Sequence, residues 1–268
     1  DTALDSVSST GNWNVAIGDQ ALTSNTTGDG SELNPYASWE YAILQVGNTG
    51  GFTIWIEGGS YNLSSGALGY ASVAKDWASP VVIKSMPNET VVFTHTLSDY
   101  SVGFVGTNNN WVFEDVTLNL IAGDRSFFYS TGGSTNTSNV EVRDCIINNV
   151  DSEYFIELIN TGTNSNHKSK RNTINGNAGE CGVYVSQSTN TTYLGNDYRS
   201  DAVTAMALSF GTLCGGIINA NNNTATVPNM GDSAGYSFVR LINNLDDGTV
   251  INFNRNNLDI SGRALFFT

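Results

Sequence analysis

Short apolar runs recur along this chain at nearly constant spacing, and this spacing most limits how the chain can fold. The same position in successive runs is taken as Phe104, Phe128, Ile156, Tyr184, Leu208, Val239 and Leu265, with steps of 24, 28, 28, 24, 31 and 26 residues. Repeats of about 20 to 50 residues are typical of solenoids, in which each repeat buries an apolar face only against its neighbours. The spacing predicts one elongated domain of stacked coils.

A second extended run follows the first in each coil. These second runs cover residues 111–120, 140–147, 170–175, 192–198, 216–220 and 250–258. Five short polar residues recur within them at steps of 29, 28, 24 and 25 residues, namely Asp115, Asp144, Asn172, Asn196 and Asn221. Stacked at one corner, such side chains can hydrogen-bond the turn backbone as a ladder. We expect two strands per coil and a structural role for this ladder.

Amides and hydroxyls, more than charges, make this chain polar. Charged residues make up 13% of the 268 residues, whereas 34 residues are Asn and 28 are Gly. Both types tolerate the left-handed backbone conformation that tight turns need. The formal net charge is −14, and the basic cluster is Lys168, Lys170 and Arg171. Nucleic acid is therefore not expected as a partner. Membrane insertion is not expected either, because no apolar run reaches about 18 residues.

Residues 14–22 read Asn-Val-Ala-Ile-Gly-Asp-Gln-Ala-Leu, and Ser-Asn-Thr-Thr-Gly follows at residues 24–28. This stretch resembles one copy of a short repeat found in tail-fibre and tailspike proteins of bacteriophages and, in related form, in trimeric bacterial adhesins. The family usually has an aromatic residue where this chain has Asp19. The resemblance implies a tail-fibre-like segment at residues 1–33.

Asn34 and Pro35 begin the one segment with a clear helical signal. Asn is a favoured N-cap and Pro suits the first helical position, which predicts a helix at about residues 35–46. A strand and a turn follow at residues 52–61. A short helix before such a strand resembles the opening of pectate-lyase-like β-helices, where the helix covers the first coil. The resemblance implies that residues 34–268 are all-β, a single-stranded right-handed parallel β-helix of about seven coils with a capping helix.

Alternation along the first strand of each coil sorts its side chains into inward and outward sets. With Ile156, Leu208 and Val239 inward, the outward set contains Phe127, Tyr129, Phe155, Glu157, Tyr184, Ser209, Phe238, Arg240 and Phe266. An exposed aromatic stripe requires a covering. If sugar rings stack on the stripe, it is a glycan site. If further copies of the chain pack on it, it is a trimer interface. If a loop such as residues 221–235 folds over it, the stripe is buried within the same chain.

Acidic residues offer weak candidates for catalysis. Glycoside hydrolysis uses two carboxylates about 5 to 9.5 Å apart. Candidate groups are Glu157 with Asp151 and Glu153, Glu114 with Glu141, and Asp197 with Asp201. Glu157 with Arg240 is the constellation to test first, although three coils separate them. Surface charges of this kind are usually only solvated, so no catalytic residue is assigned, and neither a cofactor nor a metal site is predicted.

Both resemblances together imply a virion or cell-surface location. We expect a phage tailspike, tail fibre or other spike that binds host cell-surface polysaccharide, assembled as a homotrimer or with other virion proteins. A polysaccharide depolymerase, either hydrolase or lyase, on the same β-helix is the enzymatic alternative. A bacterial surface adhesin or structural β-helix is the second alternative.

Overall fold

The computed structural model describes residues 14–17, 42–43, 48–62, 75–95, 102–104, 107–120, 126–130, 136–150, 154–159, 166–176, 182–201, 205–211, 213–231, 237–241 and 245–267. Within these ranges the chain forms 24 β-strands, numbered here in chain order. Every strand pairing is parallel.

Three sheets run along the axis of the molecule. The nine-stranded sheet contains β1 (Asn14–Ile17), β2 (Thr53–Ile56), β4 (Asp76–Ser85), β7 (Thr107–Glu114), β10 (Asn136–Arg143), β13 (Lys168–Lys170), β16 (Thr189–Leu194), β19 (Gly215–Asn221) and β22 (Val250–Asn252). The eight-stranded sheet contains β3 (Gly59–Asn62), β5 (Val91–His95), β8 (Thr117–Leu120), β11 (Ile146–Val150), β14 (Thr173–Gly176), β17 (Asp197–Ser200), β20 (Thr224–Val227) and β23 (Asn257–Ile260). The seven-stranded sheet contains β6 (Val102–Phe104), β9 (Phe128–Ser130), β12 (Tyr154–Ile159), β15 (Gly182–Ser186), β18 (Met206–Phe210), β21 (Ser237–Leu241) and β24 (Arg263–Phe267).

Each coil contributes one strand to each sheet in turn, which makes the fold a right-handed parallel β-helix. The predicted fold class is confirmed. The expected two strands per coil are wrong, because a corner after residues such as Glu114 and Arg143 divides five of the six second runs between two strands, whereas residues 216–220 lie within β19 alone. The predicted number of about seven coils differs slightly from the strand counts of nine, eight and seven in the sheets.

Three inward-facing columns of side chains fill the interior, one from each sheet. The seven-stranded sheet aligns Val102, Phe128, Ile156, Val183, Leu208, Val239 and Leu265. The sequence series named Phe104 and Tyr184 where the structure has Val102 and Val183. Phe104 lies two pairings further along its strand than Val102, level with Ser130, and Tyr184 occupies the opposite face of its strand. The spacing was therefore right for the other five positions.

The corner between the nine-stranded and eight-stranded sheets is built from one left-handed residue and one inward residue. The left-handed position is held by Asp115, Asp144, Arg171, Gly195, Asn222 and Arg255, with φ between 52° and 65°. The following position is held in the last four of these coils by Asn172, Asn196, Asn223 and Asn256. Asn is therefore not needed for the turn itself, since Asp and Arg also adopt it here.

These four asparagines form an internal ladder. Oδ1 of Asn196 accepts the backbone N–H of Asn172 at 3.0 Å, and Nδ2 of Asn196 donates to the carbonyl of Ser169 at 2.9 Å. The same two bonds recur at the other three positions, always directed to the preceding coil. Buried amide groups need such partners, so the ladder satisfies the corner backbone from inside the coil.

The predicted ladder is correct for Asn172 and Asn196 and needs correction at three positions. Asp115 and Asp144 occupy the left-handed position one residue earlier, where their carboxylates bond Ser85 and Arg171. Asn221 ends β19, two residues before the ladder, and its Oδ1 accepts the backbone N–H of Asn254. Irregular steps of 24 to 29 residues between coils hid this offset of one or two positions.

At the N-terminal end, β1 pairs in parallel with β2, so Asn14–Ile17 extends the nine-stranded sheet. The domain boundary at residue 33 remains a prediction. Of the expected capping helix, Ala42 and Ile43 are described; both are helical and buried. The other residues of that helix lie outside the described ranges. Cys145 and Cys214 are buried free thiols.

Candidate functional site

One column of outward positions runs the length of the seven-stranded sheet and is called here the outer column. Strand register places Tyr129, Glu157, Tyr184, Ser209, Arg240 and Phe266 side by side on consecutive strands. Parallel strands lie about 4.8 Å apart, so the column presents one side chain at each such interval. The structure thus brings together six of the residues that the sequence assigned to the outward set.

Exposure varies along the outer column. Tyr129, Tyr184 and Arg240 are half-buried, whereas Ser209 is fully buried. The side chains of Glu157 and Phe266 lie outside the described part of the structure. Tyr129, Tyr184 and Arg240 are therefore the described groups through which a ligand could be contacted.

Three aromatic residues assigned to the outward stripe belong to the core instead. Phe127, Phe155 and Phe238 each have 0% exposed surface and lie within the hydrophobic core cluster. The Phe238 ring contacts Tyr193 and Tyr198 at centroid distances of 6.1 and 6.5 Å. Alternation fails at these places because Phe127 precedes β9, Phe155 lies at a register shift in β12, and Phe238 is near the start of β21.

Tyr184 is held on two sides by neighbouring residues. Its ring stacks on Tyr154, with a centroid distance of 5.0 Å and an interplanar angle of 26°. Its hydroxyl lies over Gly211, where no side chain occupies the space. A stacked and supported ring loses little conformational entropy when it binds a flat partner. Tyr184 is therefore an aromatic group of the outer column whose ring is positioned by its neighbours.

The acidic candidates of the seven-stranded sheet are only partly placed. The Glu157 backbone lies between Tyr129 and Tyr184 in register. Arg240 lies three strands away from Glu157, on the far side of Tyr184 and Ser209. Three strand spacings amount to about 14 Å, which is too far for a direct ion pair. Asp151 and Glu153 lie outside the described residues.

The outward side of the nine-stranded sheet carries a network of charges. This charged face comprises Lys84, Glu114, Glu141, Arg143, Lys168 and Lys170. Glu114 accepts Lys84 Nζ at 3.1 Å and Arg143 Nε at 2.8 Å. Glu141 lies 3.3 Å from Arg143 Nη1, 3.1 Å from Lys170 Nζ and 3.8 Å from Lys168 Nζ. The sequence drew attention to two of the lysines and both carboxylates, but not to their association.

The Glu114 carboxylate is held in its ionised form. Burial acts to raise the pKa of Glu114, but hydrogen bonds and charge attraction from Arg143 and Lys84 outweigh it and lower the pKa. A general acid requires the opposite shift. Glu114 is therefore unsuited to the role of general acid in the predicted pair with Glu141.

Neither a metal-binding group nor a membrane-spanning helix is found among the described residues. No group of three or more His, Cys, Asp or Glu side chains among these residues could hold a metal ion. Likewise, none of the helical residues described belongs to a helix long and apolar enough to cross a bilayer.

Comparison with known proteins gives matches only among solved structures. No protein family and no curated protein matches the chain. A pectin methylesterase from Aspergillus niger is similar over 92% of this chain and 86% of its own, at 12% identity and a TM-score of 0.44. A pectin methylesterase from carrot is similar over 97% of this chain and 89% of its own, at 15% identity and a TM-score of 0.42.

A rhamnogalacturonan lyase is similar over 87% of this chain and 73% of its own, at 10% identity and a TM-score of 0.41. These three solved structures are polysaccharide-acting enzymes by name. At such identities and TM-scores the likeness carries no weight for the activity of this chain.

Proposed function

We propose that this chain binds polysaccharide along the outer column of the seven-stranded sheet. The observation that carries the proposal is the alignment of half-buried Tyr129, Tyr184 and Arg240 on one face, with the Glu157 backbone in register between the two tyrosines. Aromatic faces stack on sugar rings, while charged and amide groups fix hydroxyls by hydrogen bonds. A column with these group types suits a carbohydrate better than a peptide or a nucleic acid.

Regular spacing favours a linear ligand over a single sugar. Side chains on consecutive strands recur at about 4.8 Å along the axis, so an extended ligand can meet several of them in succession. Each contact is weak alone, but contacts made by one ligand add their effects without a further cost of association. Affinity should therefore rise with the number of sugar units.

The biological setting proposed is a spike or fibre on a virion or cell surface. Its support is the tail-fibre-like sequence of residues 14–28, of which Asn14–Ile17 pairs with the first strand of the β-helix proper. In a phage tailspike or tail fibre the partner would be host cell-surface polysaccharide, and the spike would be a homotrimer or attached to other virion proteins. A bacterial adhesin would use the same face in the same way.

An enzymatic function is the second candidate, and the register of Glu157 favours it. With its backbone in register between two tyrosines, Glu157 could act on a bound glycan in a hydrolase or a lyase. Glycoside hydrolysis would need a second carboxylate within about 10 Å, a role for which Asp151 and Glu153 are the nearest acids in sequence. The chain would then be a polysaccharide depolymerase.

Titration with purified capsule and lipopolysaccharide oligosaccharides tests the first function. Tyr184→Ala should weaken binding about tenfold or more, because the stacking face is lost. Ile146→Ala, at an exposed apolar position on the eight-stranded sheet, is the control and should bind normally. Equal affinities for Tyr184→Ala and the unaltered protein would refute the proposal.

Release of reducing ends or unsaturated uronates from the same glycans separates the two functions. A depolymerase should produce them and lose this activity in Glu157→Gln while still binding. A binding spike should produce none, and a purely structural β-helix should show neither binding nor release.

A further inference from the structure

The charged face lies on a different sheet from the outer column and has a different chemistry. Lys84, Glu114, Arg143 and Lys170 lie side by side on four consecutive strands. Glu141 and Lys168 are paired in the adjacent outward column, two residues earlier on β10 and β13. All six groups therefore meet on a patch four strands wide.

Positive charge exceeds negative charge on this patch. Its four cations face two carboxylates, and the adjoining corner adds Asp115, Asp144 and Arg171, so the local balance remains positive. The chain as a whole has only 11 Lys and Arg residues and a net charge of −14. A concentration of cations in so acidic a chain is not explained by its composition.

Glu114 and Glu141 accept only some of the N–H groups that the four cations of the charged face can donate. Five hydrogen bonds join Lys84, Arg143 and Lys170 to these carboxylates, and Lys168 adds an ion pair to Glu141 at 3.8 Å. Three lysines and one arginine carry about fourteen N–H donors in all. The cationic side chains remain 23–39% exposed, so their other donors are accessible to solvent or to a ligand.

An aromatic group extends the patch at one end. Trp55 precedes Lys84 in the same column, and Lys84 Nζ lies 4.7 Å from the centroid of its ring. Trp55 is half-buried. Cations beside a half-buried aromatic side chain match a ligand that carries both carboxylates and sugar rings.

We propose that the charged face binds a linear, carboxylate-bearing polysaccharide. Ligand carboxylates would take the remaining donors of Lys168, Lys170 and Arg143, as Glu141 does within the protein. A sugar ring would stack beside Lys84 on Trp55. This site is separate from the outer column, so neither proposal depends on the other.

The net charge of the chain does not prevent such binding. Charges further apart than about 8 Å are largely screened at physiological ionic strength. A bound carboxylate would therefore experience mainly the cations in contact with it. Binding at this face should weaken strongly as salt is added, whereas stacking at the outer column should not.

Calorimetric titration with polygalacturonate tests the inference, with neutral dextran as the comparison ligand. The full chain should bind polygalacturonate at about 50 mM salt, lose most of the affinity at about 500 mM, and not bind dextran at this face. The double variant Lys168→Gln/Lys170→Gln should reduce affinity for polygalacturonate about tenfold or more.

A matched control removes the same charge elsewhere. Arg199→Gln/Arg255→Gln alters two exposed arginines away from the patch and should leave polygalacturonate affinity within about twofold. Should the lysine double variant fail to fold, Lys168→Gln alone replaces it, since Lys168 is the most exposed of the four cations of the charged face and makes the longest ion pair there, at 3.8 Å.

Absence of polygalacturonate binding by the unaltered protein would overturn the inference. Equal losses in the lysine and arginine double variants would also overturn it, because the effect would then reflect total charge. Tyr184→Ala should keep polygalacturonate affinity, so failure at this face and failure at the outer column can be told apart.

Discussion

The hydroxyl of Tyr184 lies directly over Gly211, the residue that immediately follows strand β18. A Cβ atom at Gly211 would lie 2.7 Å from Ser186 Oγ, 2.8 Å from Ser186 Cβ and still closer to the Tyr184 hydroxyl. The absence of a side chain at Gly211 thus sets where the Tyr184 ring can lie.

Gly211→Ala should lower the free energy of unfolding by about 1 to 3 kcal/mol, because the added methyl group overpacks this contact. Urea denaturation measures the change. Adding Tyr184→Phe to Gly211→Ala should recover part of the loss, since the nearest clashing atom is removed. Unchanged stability in the single variant would contradict the geometry described for Tyr184.

Asn196→Ala should lower the free energy of unfolding by about 2 to 4 kcal/mol. The substitution leaves the buried N–H of Asn172 and the carbonyl of Ser169 without their ladder partners. Asn175→Ala is the control, because Asn175 lies on the outer surface and donates one bond to Asn148 at 2.8 Å. Its cost should stay below about 1 kcal/mol. Similar losses in the free energy of unfolding for both variants would show that a hydrogen bond of the inner ladder stabilises the fold no more than one on the surface.

His167 should make stability depend on pH. Burial lowers the pKa of His167 from 6.5 to about 3 in the folded protein. The unfolded chain therefore binds a proton near pH 6.5 that the folded protein does not, so stability is complete above this pH and falls below it. From pH 7 to pH 5 the His167 contribution should cost about 2 kcal/mol.

Two measurements check this expectation for His167. Urea denaturation at several pH values should show the loss in the unaltered protein and a smaller slope in His167→Gln. The chain has two histidines, so NMR can follow each of them. A His167 imidazole that titrates near pH 6 in the folded protein would contradict the prediction.

Glu114 should contribute stability with its own pH dependence. Its pKa is lowered in the fold, where the bonds from Arg143 and Lys84 outweigh burial. The contribution is present above the ordinary Glu pKa of about 4.3 and is lost as pH falls through the lower folded value. Glu114→Gln should thus be less stable than the unaltered protein at pH 7, and the difference should shrink below about pH 4. A difference that is constant with pH would refute this assignment.

The stacking of coils could be predicted because it depends on spacing, which the sequence displays directly. Phe128, Ile156 and Leu208 recur at intervals that only a repeated structure explains, and the structure aligns them. The number of strands per coil was not predictable in the same way. A corner made by a single left-handed residue such as Arg171 leaves no Gly or Pro signal to mark where one strand ends.

The candidate site was predictable only where strict alternation holds. Tyr129 and Tyr184 occupy the middle of their strands, Arg240 is the last residue but one of β21, and all three lie in one column. Phe155 is displaced by a register shift, a local feature that alternation cannot show. The ion pairs of Glu141 required knowing which residues of β10 and β13 are neighbours, and a slip of one residue would have separated them.

Each asparagine of the inner ladder bonds backward, to the coil made before its own. The corner of each newly made coil therefore has a backbone N–H and a carbonyl without their asparagine partner until the next coil has folded onto it. During synthesis from the N-terminus, the most recently made coil is therefore always incompletely hydrogen-bonded, and its bonds are completed only when one further coil has been synthesised.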